Sequence, residues 1–219
     1  MATRCLQDGA SLPVDLATPV HVVKLSPQLP VLGMNISLGE FWSWAYSNLL
    51  SNLVRGVFAE YIVAHTLGIT DQPRIDWNAF DLSYRGKRIE VKASAYLQSW
   101  PQKTRSRIGF DIRPKISWDA ETGKSLLTAA RSADCFVFCL YQETELTGRT
   151  PMAVLDLQRW CFYVASVLEL EEKFGNHRHA SLKRLAPFGP FPSSQLRSRI
   201  EEKLGLTNSS VDESPKGSR

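Results

Sequence analysis

Apolar and polar positions recur with different periods along the chain, and the changes of period divide it. From Ser37 to Gly68, "SLGEFWSWAYSNLLSNLVRGVFAEYIVAHTLG" repeats apolar residues every three or four positions, which predicts one or two α-helices. Ser37 followed three residues later by Glu40 is a capping box, and Gly68 supplies the stop. Next, "RIDWNAFDLSY", "KRIEVKAS" and "RIGFDIR" carry strand patterns. The polar segment "WDAETGKSLLTAARSA" is read as a short helix, "CFVFCLY" as a buried strand and "PMAVLDLQ" as a further strand. "RWCFYVASVLELEEKF" opens a mixed segment, and "SSQLRSRIEEKLG" reads as a closing helix capped by Ser193 or Ser194. This order predicts an α/β fold, a mixed central sheet flanked by helices. Residues 1–36, rich in Pro, Ser and small side chains, read as an extended arm; 37–205 form the domain, and 206–219 a disordered tail.

Two patterns carry candidate chemistry. In "RGKRIEVKAS" strand alternation places Glu90 and Lys92 on one face, with Ile89, Val91 and Ala93 on the other. Gly86 marks a hairpin turn. With Gly86 and Lys87 as a two-residue loop, Asp81 falls opposite Lys92 and Ser83 opposite Glu90, so Asp81, Glu90 and Lys92 converge. A three-residue loop would send Asp81 to the Ile89/Val91 face, so the register decides. On the preceding helix the apolar stripe Leu53, Val57, Glu60, Ala64, Leu67 contains a glutamate, which needs a partner if buried. Gly56 between Asn52 and Glu60 would let another element approach closely. Carboxylates crowded together repel, and a hard divalent cation such as Mg²⁺ resolves the repulsion.

Charge and cysteines narrow the setting. The net charge of +4 is uneven: Arg85 to Lys115 holds nine basic residues against Glu90 and Asp111, and Lys173 to Ile200 holds six and no acid. Such stretches suit a polyanion. Tyr96 and Trp100 lie among Lys103, Arg105 and Arg107, rings and cations together, as on nucleic-acid surfaces. Cys135 and Cys139 have no metal-ligand partners in sequence and read as buried reduced thiols. No apolar run is long enough to span a membrane and no secretory signal is evident, so a cytoplasmic location is expected. "ETGKSLL" lacks the first glycine of a phosphate-binding loop, with Trp118 in its place; His177, His179 and His65 read as surface or packing residues.

"FDLSYRGKRIEVKAS" resembles the core of the PD-(D/E)XK nuclease superfamily: an Asp, a short hairpin, then Glu-x-Lys between apolar residues. "RGVFAEYIVAHTLG" is similar to the helix that precedes this core in many members and donates a glutamate. The resemblance covers about Ser37 to Tyr141 and implies a restriction-endonuclease-like core of αβββαβ order. It implies Asp81, Glu90 and Glu60 as metal-binding acids, with Mg²⁺ as cofactor and Mn²⁺ as a substitute. Lys92 would be the catalytic lysine and Gln98 a residue near the site. Phe80 stands where the pattern has Pro, and Asp76 is a rival for the role of Asp81. The implied function is a DNA endonuclease of restriction or defence. Alternatives are a Holliday-junction resolvase or repair nuclease, and an inactive nucleic-acid-binding or scaffold protein of the same fold. DNA, a second copy of the chain and proteins of a defence or repair system are the expected partners.

Overall fold

The computed structural model describes residues 22–76, 78–116, 118–119, 124–125 and 129–206. Most of the expected arm and tail, and all of "ETGKSLL" except Lys124 and Ser125, lie outside them. Residues 22–36 run without helix or regular strand, apart from an isolated bridge between Pro30 and Ser37. The predicted capping box is present: Glu40 N–H donates to the Ser37 hydroxyl and Ser37 N–H to the Glu40 carboxylate, opening α1 (Leu38–Tyr46). Ser47 to Ser51 separate the two helices, with Leu50 turned into the core, and α2 (Asn52–Leu67) ends on Gly68 in the left-handed conformation. Leu53 points to solvent, so the apolar stripe is not the one expected; Ala59, Ile62, Val63 and Leu67 form the buried face with Glu60 at its margin. Among the described residues nothing lies within 4 Å of where a Cβ at Gly56 would stand, so no described element uses that glycine for close approach.

The central sheet has the order β1-β2-β6-β7, from β1 (Leu82–Tyr84), β2 (Lys87–Ala95), β6 (Cys135–Tyr141) and β7 (Trp160–Ser166). β1–β2 and β6–β7 are antiparallel, whereas β2–β6 is parallel, giving a mixed sheet. Ile89 and Val91, with Val137, Cys139, Phe162 and Val164, pack on one face against α2 and α6 (Leu196–Lys203). On the other face Phe136, Phe138 and Tyr163 pack beneath a second layer. That layer contains the small sheet of β3 (Gly109–Asp111) and β8 (His179–Ser181), with α4 (Val167–Phe174) and α5 (Leu182–Leu185).

Three expected elements are corrected. The segment after Lys115 forms a short antiparallel pair, β4 (Trp118–Asp119) with β5 (Lys124–Ser125), among its described residues and not a helix. "PMAVLDLQ" is not a strand but α3 (Pro151–Val154) and a 3₁₀ turn: Thr150 accepts the Ala153 N–H, and Pro151 at the first turn needs no donor. Neither Ser193 nor Ser194 caps α6; they lie in a 3₁₀ turn that runs into it. "RIGFDIR" is a strand, but its partner is β8 in the smaller sheet. The thiols of Cys135, Cys139 and Cys161 are free and buried, and burial pushes Cys135 up to about 12. No helix among the described residues is long and apolar enough to cross a membrane.

Candidate active site

The hairpin turns on Arg85 and Gly86, both at positive φ (49° and 75°), as a tight primed turn requires. The loop lies one residue earlier than expected, pairing Tyr84 with Lys87 and Leu82 with Ile89. Continuing that register sets Asp81 opposite Glu90 instead of Lys92. The shift is by two residues, so side-chain parity survives. β1 stops at Leu82, and beyond it Asp81 takes over the exposed edge of β2. Its backbone N–H donates to Ile89 O at 3.1 Å, and its Oδ2 accepts the Val91 N–H at 2.6 Å. A backbone donor lies close to the sheet plane. Asp81 therefore occupies the edge, reachable from both faces.

Glu90 and Lys92 project from the face opposite α2 and form an ion pair, with side chains 13% and 20% exposed. Lys115 Nζ stands 3.8 Å from Glu90 on the same side. Burial works against the Lys92 charge, but Glu90, then Asp81 and Asp111, outweigh it, so the ammonium is held protonated more firmly than usual. Asp111, on β3, was not singled out in the sequence. Burial opposes its charge, yet the hydrogen bonds and charge of Arg113, with Lys115, hold its carboxyl down at about 2.

Glu60 arrives from the α2 side. It pairs with Arg74, not with Lys92: Arg74 Nε lies 2.5 Å from Glu60 Oε2 and Nη2 3.2 Å from Oε1. Arg74 also donates to Asp76, the rival aspartate, which is exposed. Asp81 opens into one concavity, and Glu90 and Lys92 into another. A cleft of about 790 Å³ is lined by Glu60, Arg74, Asp81 and the Tyr61 ring. A narrow one of about 20 Å³ is lined by Glu90, Lys92, Asp111 and Lys115. Asp81 carries the consequence. Burial, then Glu90, then Glu60 push its carboxyl up to about 7, against the Val91 hydrogen bond and Lys92.

The site thus gathers Asp81, Glu90, Lys92 and Glu60 about one strand edge. Among the described residues no three His, Cys, Asp or Glu side chains are grouped closely enough to enclose a metal ion. Mg²⁺, however, takes one or two carboxylates and completes its shell with water and phosphate oxygens. Asp81 and Glu90, whose charges act on each other, are two carboxylates of the kind such a shell would use.

The other expected residues divide. Gln98 is buried and its amide is spent inside the protein: Nε2 donates to Ala95 O at 2.9 Å and Ser106 Oγ at 3.1 Å, and Oε1 accepts from Arg55 Nη2 at 3.4 Å. Trp100 is half exposed. Arg105 donates to Thr144 O at 3.1 Å and pairs with Glu145. Lys103 and Arg107 are exposed, with no hydrogen bond or ion pair among the described residues. In the later basic stretch, Arg197 and Arg199 pair with Glu201 and Glu202 just beyond its end. His65 stacks on Tyr61, as a packing histidine does. The sequence offered no sign of Arg74, a lone arginine between Pro73 and Ile75.

A family model for bacteriophage T4 endonuclease IV matches residues 43–174, more than half of the chain and all of the central sheet. The chain belongs to that endonuclease family. No curated protein and no solved structure matches it.

Proposed function

We propose that this member of an endonuclease family hydrolyses DNA phosphodiester bonds at the β2 edge, with a PD-(D/E)XK-type site in which Asp81 and Glu90 hold Mg²⁺, or Mn²⁺ in its place. The observation that carries the reading is the half-buried Asp81 carboxyl, fixed on the Val91 N–H near Glu90 and Glu60 and driven up to about 7 by desolvation and by those acids. Such perturbation, in a cleft and beside an ion-paired lysine, marks functional sites.

Bound there, the cation would polarise a phosphate oxygen and acidify an attacking water. Lys92 stays an ammonium, so its part is electrostatic: one N–H is given to Glu90, and the others are free to donate to charge developing on the phosphoryl oxygens. Glu90 fixes the Lys92 head group while offering an oxygen to the cation. Asp81, on a backbone donor, is pre-positioned without a flexible tether. Exposed Lys103 and Arg107, with the half-exposed Trp100, would engage the strand away from the cut.

The test is cleavage of supercoiled, linear and four-way-junction DNA by wild type and Lys92→Ala, with Mg²⁺ or EDTA. Cutting by wild type with metal, and loss of about 100-fold or more in Lys92→Ala, is expected. Equal cutting by the two proteins rejects the site. Preference for the junction would favour a resolvase.

A further inference from the structure

The cleft on the α2 side of Asp81 holds a guanidinium that the chemistry above does not use. Arg74 reaches it from the loop between α2 and β1. Its Nε and Nη2 are clamped by the two oxygens of Glu60 at 2.5 and 3.2 Å, and Nη1 donates to Asp76. Of five N–H donors, three are used. One on each η nitrogen has no protein acceptor among the described residues. The side chain remains 38% exposed in a cleft that also contains Asp81 and Lys24.

The two acids hold Arg74 in unlike ways. Glu60 is 12% exposed, and a carboxylate so placed must be paired. Both its oxygens go to Arg74, so the clamp fixes the plane of the guanidinium. Asp76 is 72% exposed, and a pair of that kind is worth little in water. A phosphate presents the same pair of acceptor oxygens to an arginine. Glu60, Asp71 and Asp81 line the cleft beside Arg74 and Lys24, so the guanidinium is one of two cations there that can meet a phosphodiester.

We propose that Arg74 binds a backbone phosphate adjoining the one attacked at Asp81, that the phosphate displaces Asp76, and that Glu60 is the positioning residue that holds the guanidinium. This rests on the active-site reading above, and it makes Glu60 act through Arg74 instead of as a metal ligand.

The experiment measures binding of the full chain to fluorescein-labelled DNA in EDTA across a KCl series, with melting temperature followed for each variant. Arg74→Ala should bind about tenfold more weakly, and the slope of log K against log[KCl] should become shallower by about 0.7–0.9, one phosphate contact. Arg74→Lys should keep the slope. Asp76→Asn should tighten binding in the wild-type background but not in Arg74→Ala. If Arg74→Ala fails to fold, Arg74→Gln, which keeps a hydrogen bond to Glu60 without the charge, carries the same test. A slope unchanged in a folded, uncharged Arg74 variant overturns the assignment, even where wild type cuts DNA with Mg²⁺. A wild type that binds with the expected slope change but never cuts overturns the active-site reading alone.

Discussion

Asp81 Oδ2 accepts the Val91 N–H at 2.6 Å, which places a carboxylate on a strand edge that β1 leaves uncovered. The bond orders the acid before any ligand arrives. The same position removes it from water beside Glu90 and Glu60, so the native state holds it at a cost to stability. Function and stability should therefore part company here.

Asp81→Asn tests that separation. The amide oxygen can still accept the Val91 N–H, and the buried charge is gone. At about pH 7.5 without metal, the variant should be more stable than wild type by about 1–3 kcal/mol in urea unfolding, yet inactive on DNA. An active Asp81→Asn protein, or one as destabilised as Asp81→Ala, would count against the assignment.

The pH dependence follows with its sign. In the folded state burial and the neighbouring acids push the Asp81 carboxyl up to about 7, well above the usual aspartate range. Its contribution to stability is thus fully present below about pH 4 and is lost as pH rises through 7. Asp111 and Asp134, held low in the folded state, act oppositely and only in acid, where their contribution disappears as pH falls through their folded values. In EDTA the melting temperature should decline from about pH 5 to 7.5, and Asp81→Asn should flatten the decline. Mg²⁺ should raise the melting temperature more at about pH 8 than at about pH 6, because it binds the deprotonated acid.

Gln98→Ala should act on folding. Arg55 is fully buried, burial lowers it to about 10, and its Nε has no partner among the described residues; Gln98 Oε1 is one of its few acceptors there. Removing that amide should cost about 1–3 kcal/mol. DNA affinity of the folded protein should not change.

Within the basic loop the cations should divide by their partners. Replacing Lys103 and Arg107 together with Ala should weaken DNA binding and flatten its salt dependence, since neither has a hydrogen bond or ion pair among the described residues. Arg105→Ala should do much less, because Thr144 O and Glu145 already hold its guanidinium.

Local information sufficed for the capping box at Ser37 and Glu40, for the Gly68 stop and for the buried strand at Cys135, because each is set by residues within a turn or two. It also put Glu90 and Lys92 on one face, since strand alternation needs no partner. The turn could not be placed from the sequence alone. Arg85, unlike Gly86, pays a steric penalty at positive φ, and pairing within the folded sheet makes it adopt that conformation. Strand alternation and helix period could be read from the residues alone, because short-range sterics and hydrophobicity dictate them. Long-range packing set the rest: Asp81 caps Val91, Arg74 and not Lys92 answers Glu60, and Gln98 lies inside. Those pairings join residues far apart in the chain, and which charges meet depends on how helix, edge strand and loop pack.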